Sequence, residues 1–145
     1  MTDRLSGKCL CGAVKLSAIP LELKVNACHC SMCRHWSGGV FMAVRCGESV
    51  KLSGNGSVGI FQSSEWGERV FCKQCGSSLM WRSRDNKHQN VSMQVFDNPQ
   101  AFELTNQYFI DKKPDNYSFA NDTNKMTEAE VMAMFAPSPD GDNNG

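Results

Sequence analysis

The sequence predicts a mainly β fold, a sheet stapled by metal with one short C-terminal helix. Three observations predict it. Through the first 110 residues the apolar residues fall in runs of four to eight, punctuated by Gly, Asn, Asp or Pro. Helical periodicity is confined to one stretch near the C-terminus. Seven of the eight cysteines stand in three tight groups spread along the strand-rich part of the chain, where a shared ion would tie distant segments together.

Taken in order, "AVKLSAI" (13–19) alternates and puts Val14, Leu16 and Ala18 on one side. "GGVFMAVR" (38–45) and "SVKLS" (49–53) flank "CGE" and read as a hairpin, and "GNG" (54–56) is a turn signal. Strands are expected at 58–63, 68–71, 78–83, 90–96 and 106–110. "TEAEVMAMFA" (127–136) reads as the helix, opened by a capping box of Thr127 and Glu130 and stopped by Pro137. Residues 1–136 are expected to form a single domain, and the small, polar "PSPDGDNNG" (137–145) a disordered tail.

Composition narrows the function. Fifteen Lys and Arg balance fifteen Asp and Glu, which argues against a dedicated nucleic-acid binder. No run approaches the length of a membrane span, so no membrane partner is expected. "MTDRLSGKCLCG" has no apolar core of the kind a secretory signal needs, so a cytoplasmic, reducing compartment is expected. There, clustered cysteines serve as metal ligands or reactive thiols more often than as disulfides.

The groups are "CLC" (Cys9, Cys11), "CHCSMC" (Cys28, Cys30, Cys33) and "CKQC" (Cys72, Cys75), with Cys46 alone. Seven thiols cannot fill two four-cysteine sites. Two pairs and one triple divide naturally into a closed structural zinc site, Cys9, Cys11, Cys72 and Cys75, and a three-ligand site with an open position, as catalytic zinc requires. Other partitions stay open. His29, His35 or Cys46 could close the triple, or Cys30 and Cys33 could join Cys72 and Cys75 as a zinc ribbon, leaving Cys9, Cys11 and Cys28 without a role. Cys46-Gly47-Glu48 followed by Cys72-x-x-Cys75 imitates a zinc deaminase, but Phe71 stands where the proline belongs and the surrounding sequence lacks the helices.

At "GKCLCGAV", "CHCSMCRHWSG" and "RVFCKQCGSSL" the chain resembles the family of glutathione-dependent formaldehyde-activating enzymes, over roughly residues 5–119. "YFIDKKPDNY" is similar to a later family segment whose last aromatic is often Trp and here is Tyr117. The resemblance implies an Mss4-like β fold. It places Cys9, Cys11, Cys72 and Cys75 as structural-zinc ligands and Cys28, Cys30 and Cys33 as active-site zinc ligands, two zinc ions per chain. It also implies carbon–sulfur lyase activity on a small thiol adduct, the reference reaction joining glutathione and formaldehyde into S-hydroxymethylglutathione.

Three thiolates around zinc form a weak Lewis acid suited to a soft fourth ligand, and coordination deprotonates an incoming thiol. Around the triple, His29 could relay a proton, Arg34 could offset charge or hold a substrate carboxylate, and His35 could act as a general base. Trp36, Trp66 and Trp81 could line a pocket or fill the core, and Arg69 could clamp a substrate or pair structurally. A non-catalytic, zinc-stabilised interaction module is the second reading; it requires two closed sites and no pocket beside the triple. A thiol redox protein using Cys72-x-x-Cys75 is the third.

Overall fold

Alternation between Val14 and Ala18 forces one side of that segment inward, and it meets a second, larger sheet. The structure is a computed structural model describing residues 2–135, and it holds eleven strands in two sheets and two short α-helices among them. β1 (Leu5–Lys8), β2 (Lys15–Ala18) and β5 (Lys51–Ser53) form an antiparallel sheet in the order β1-β2-β5. The larger sheet has eight strands. In spatial order they are β11 (Asn124–Met126), β10 (Glu103–Tyr108), β3 (Lys24–Cys28), β4 (Phe41–Arg45), β9 (Gln89–Ser92), β8 (Ser78–Ser83), β7 (Gly67–Cys72) and β6 (Val58–Gln62). All its pairings are antiparallel except those of β10 with β3 and β11.

Val14, Leu16 and Ala18 pack in one cluster with Val25, Val44, Val70, Met80 and Val91 of the larger sheet. All are buried, and full burial contributes about 1.5–3 kcal/mol for a Val, Leu or Met side chain. Residues one step out of phase face the other way. Cross-strand partners share a face, so Tyr108, Cys28 and Phe41 stand in one outer row, and Phe61, Arg69, Trp81 and Asn90 in another. Helix α1 (Ser31–Ser37) lies on this outer face, where Cys33 packs with Phe41 and Ala43. The Trp36 ring meets Phe41 edge-on at 5.3 Å between centroids.

The mainly β expectation holds, and the run 78–83 is strand β8 as expected. The hairpin expected from 38–45 and 49–53 does not form. β4 pairs with β3 and β9, whereas β5 pairs with β2 in the other sheet. The connection crosses between sheets at Gly47, whose φ is +60°. Ser49 fixes this crossing, its hydroxyl reaching the Cys46 and Ile19 carbonyls. The run 90–96 is strand only to Ser92 and then tightens into a 3-10 turn, Met93–Val95. The last expected strand begins earlier, at Glu103, and ends where Phe109 turns left-handed with φ 57°.

Helix α2 (Glu128–Phe135) opens on the expected capping box. Thr127 N–H donates to Glu130 Oε1 at 2.9 Å and Glu130 N–H to Thr127 Oγ1 at 3.2 Å. The expected helix end at Ala136 and Pro137 and the tail 137–145 lie outside the described residues.

Gly7 of the small sheet bridges to Phe96, just past the 3-10 turn that follows β9 of the large one. A Cβ at Gly7 would overlap the Val95 carbonyl. Gly7→Ala is therefore expected to cost about 3 kcal/mol, read as a lowered midpoint in urea unfolding; a wild-type midpoint would show that the sheets can move apart there.

Candidate functional site

Two loops of one design face each other across the sheets. "CLCG" follows β1, and "CKQCG" begins on the last residue of β7. Each closes on a left-handed glycine, Gly12 with φ +81° and Gly76 with φ +80°. Gly12 N–H bonds the Cys9 carbonyl at 3.2 Å, and Gly76 N–H the Cys72 carbonyl at 2.8 Å. Only glycine takes this backbone without strain. The turns aim amides at sulfur, Val14 N–H at Cys9 Sγ (3.3 Å) and Gln74 N–H at Cys72 Sγ (3.4 Å). Ser77 joins the loops, accepting from Leu10 N–H at 3.0 Å and lying 3.1 Å from Cys75 Sγ. Bonds from Ser77 hold the Cys75 thiol down at about 5.

The sulfurs of Cys9, Cys11, Cys72 and Cys75 all lie within 4.8 Å of one another. Cys9 and Cys11 are 3.6 Å apart, and Cys11 and Cys72 3.8 Å. A tetrahedral zinc with metal–sulfur bonds of about 2.3 Å needs sulfur–sulfur edges of about 3.8 Å. Those two edges match such an ion, and the remaining sulfurs lie close enough to complete the set.

The second cluster is built on the outer face. β3 ends at Cys28, Cys30 caps α1, and Cys33 is in the first turn. Cys30 Sγ accepts from Cys33 N–H at 3.4 Å, so the cap itself fixes the second ligand relative to the third. The three sulfurs lie within 4.8 Å of one another and could hold a metal. Packed this tightly, the thiols oppose one another's ionisation: hydrogen bonds from Cys28 and Cys33 push the Cys30 thiol down, and Cys30 and Cys33 push Cys28 far above the ordinary thiol range. A cation at the centre would be needed for all three to be thiolates together.

The ligands considered for a fourth position stand elsewhere. Cys46 is buried in the main core, its thiol pushed up to about 12 by burial. His35 Nδ1 donates to the Ser31 carbonyl at 2.7 Å. His29 is fully buried and turned away, with Nε2 2.8 Å from Gln107 Oε1 and Nδ1 2.8 Å from the Tyr117 hydroxyl. Because Gln107 Nε2 donates to Thr123, its Oε1 accepts from His29 Nε2–H, and His29 Nδ1 accepts from Tyr117. Burial lowers the His29 pKa, in keeping with a neutral ring. His29 is thus a buried tie between β3 and the segment 107–123 rather than an open relay. Cys30 and Cys33 do not join Cys72 and Cys75, so the ribbon partition fails.

Arg34 donates to the His29 carbonyl at 2.9 Å and braces the ligand loop. Arg69 is buried, and its Nη1 donates to Cys33 Sγ at 3.5 Å. Its guanidinium lies 5.1 Å from the centroid of Trp36. Beside it opens a cavity of about 380 Å³ lined by Ser31, Met32, His35, Trp36, Phe61, Ser63 and Arg69. Of the three tryptophans only Trp36 lines it; Trp81 covers Gly67, and Trp66 is 67% exposed. Sequence reasoning missed Gln107, Thr123, Phe61 and Ser63, which carry no local signal. Tyr117 it met only as a motif's last aromatic.

A two-sheet β fold carrying one four-thiol and one three-thiol cluster defines a class of cysteine-rich proteins whose clustered thiols could hold metal ions. The comparisons give the family. The chain belongs to the glutathione-dependent formaldehyde-activating enzyme family, whose model matches residues 4–112. A Schizosaccharomyces pombe protein named as an uncharacterized lyase is 40% identical over 127 residues, 87% of this chain and 93% of that protein. A Halomonas elongata protein provisionally named as a glutathione-dependent formaldehyde-activating enzyme is 33% identical over 84 residues, 52% of this chain and 54% of its own. A crystal structure of a Rhodobacter sphaeroides protein superposes with a TM-score of 0.58, covering 70% of this chain and all of that one; at 21% identity it shows likeness of fold alone. No helix among the described residues is long and apolar enough to cross a membrane.

Two outcomes are expected from this geometry. With an ion tying the four-thiol cluster together, Cys72→Ser should abolish soluble folded protein, since a structural zinc contributes about 10–16 kcal/mol of apparent binding energy; near wild-type thermal stability would refute a structural role. Tyr117→Phe leaves His29 Nδ1 buried without a donor and should cost about 1–3 kcal/mol in urea unfolding, with metal content unchanged.

Proposed function

We propose that the chain is a zinc-dependent carbon–sulfur lyase acting on a small thiol adduct, with S-hydroxymethylglutathione formation from glutathione and formaldehyde as the reference reaction. One observation carries the reading. The sulfurs of Cys28, Cys30 and Cys33 converge with no fourth metal-ligating side chain among the described residues, beside a cavity. Four ligands would close a site; three leave room for a reactant. Family membership and the lyase name of the yeast relative support the reaction class. Eight free thiols suit a reducing compartment, and residues 1–136 are taken as one domain.

In this reading Cys9, Cys11, Cys72 and Cys75 hold a structural zinc and Cys28, Cys30 and Cys33 a catalytic one. When bound, the catalytic zinc supplies the positive charge that keeps a reactant thiol deprotonated at neutral pH. The chain's own groups do the rest. Arg69 fixes Cys33 and offsets the excess negative charge of the three sulfurs. Trp36 and Phe41 cover one side of the cluster and exclude water. His35 lines the cavity, and its Nδ1–H bond to Ser31 leaves Nε2 as the acceptor for the thiol proton. In the forward direction sulfur attacks the aldehyde carbon, a carbon–sulfur bond forms, and the carbonyl π pair moves to oxygen. His35 Nε2–H then returns the proton to that oxygen. The reverse sequence breaks the carbon–sulfur bond and regenerates thiol and aldehyde.

Protein purified without chelator should contain about two zinc ions per chain, and a ratio fixed at one after zinc supplementation would sink the two-site reading. Cys30→Ser should lose one zinc, keep its fold, and lose roughly tenfold to a hundredfold in rate above the uncatalysed thiol–aldehyde background. His35→Asn should keep both zincs and lose a comparable factor in kcat. Full activity in His35→Asn would remove it from the mechanism.

A further inference from the structure

Arg69 is 4% exposed, yet no carboxylate lies within salt-bridge distance of it among the described residues. A guanidinium cannot shed its charge, and it carries five N–H donors. Nε uses one on Ser63 Oγ at 3.3 Å, and Nη1 uses one on Cys33 Sγ at 3.5 Å. The other three have no protein acceptor among the described residues. No buried side-chain nitrogen in that part of the chain lacks a partner, so Nη2 retains access to open space, and the open space that Arg69 lines is the 380 Å³ cavity. The cavity thus has a cation in its lining. Trp36, Phe61 and Met32 give it apolar walls, and Ser31, Ser63 and His35 add polar groups. The guanidinium Cζ lies over the Trp36 ring, 5.1 Å from its centroid. A planar carboxylate can take two hydrogen bonds from the donors that one guanidinium leaves unused.

We propose that this cavity is a carboxylate-binding subsite anchored on Arg69, taking the acid end of a small ligand whose remainder packs against Trp36 and Phe61. Because the same guanidinium touches Cys33 Sγ, a carboxylate seated there lies one side-chain width from the cysteine triple. The substrate class this selects is a thiol or thiol adduct that carries a carboxylate, in preference to a neutral thiol. The thiol end rests on the reading of the triple as the reacting centre; recognition of the acid end stands on Arg69 and the cavity alone.

The test compares 3-phenylpropanoate with 3-phenylpropanamide, equal in shape and different in charge, binding to the zinc-loaded full chain by titration calorimetry. The acid is expected to bind at least tenfold more tightly than the amide. Arg69→Met should bring the two affinities within about twofold, while Arg69→Lys should keep part of the preference. Phe61 is 61% exposed, so Phe61→Asp should fold whatever becomes of the Arg69 variants. It sets a carboxylate on the cavity wall and should weaken the acid at least tenfold with little change for the amide. Equal binding of acid and amide by wild type would overturn the proposal. So would a preference surviving in Arg69→Met, which would mean that the acid binds a metal or another surface, or an acid affinity unmoved in Phe61→Asp. Zinc content, measured on the same samples, separately judges the metal reading, so the two failures are distinguishable.

Discussion

Everything else in this structure depends on four sulfurs meeting between two sheets. Cys9 and Cys11 belong to the small sheet and Cys72 and Cys75 to the large one, and Cys11 and Cys72 are 61 residues apart in the chain. The small sheet has only three strands, the fewest that can stand as a sheet, and it needs a hydrophobic face to pack. Val14, Leu16 and Ala18 supply that surface, and the sulfur cluster fixes where along the large sheet it docks. The Gly7–Phe96 bridge, with backbone against backbone, is possible only because this docking is exact to within the size of a methyl group. An ion in the cluster would close a long loop whose entropic cost the core alone must otherwise meet.

With the inner face committed to packing, the outer face of the large sheet is free for chemistry. The period of two makes the division. In β3, Val25 and Ala27 point inward, and Cys28 is the next residue out of phase. In β7, Val70 and Cys72 face the core side while Arg69 faces outward. A single strand therefore carries a ligand of the four-thiol cluster and, three residues earlier, the arginine that touches the three-thiol one. Helix α1 completes the outer cluster because its cap and first turn are themselves cysteines, which couples helix formation to sulfur placement. His29, between two of the sulfurs, anchors the loop from behind through Gln107 and Tyr117.

What could be read from the chain, and what could not, follows from the range of each interaction. The cysteine groups were legible because each lies within six residues and because seven thiols divide into four and three. The capping box at Thr127 and Glu130 was legible for the same reason. Strand partners were not. Residues 41–45 and 51–53 alternate equally well whether they pair with each other or with strands in two different sheets, and the hairpin reading chose wrongly. Helix α1 was missed because seven residues, three of them Ser or Cys, show no amphipathic stripe. The partners of His29 come from 78 and 88 residues away, and nothing near His29 announces them.

The two clusters use the same donor atom, and their neighbours set them apart. Four thiolates on a divalent ion carry two excess negative charges; three carry one. The four-thiol cluster is flanked by neutral donors, the amides of Val14 and Gln74 and the Ser77 hydroxyl, spread over its two loops. The three-thiol cluster has one full cation beside it, the buried Arg69. With a divalent ion held there, the cluster and Arg69 together would balance in charge, and in the proposed reaction a further anionic sulfur would meet a lower electrostatic cost than at an uncompensated cluster. Arg69 touches Cys33 Sγ on one side and lines the cavity on the other, so the two proposals meet at one guanidinium.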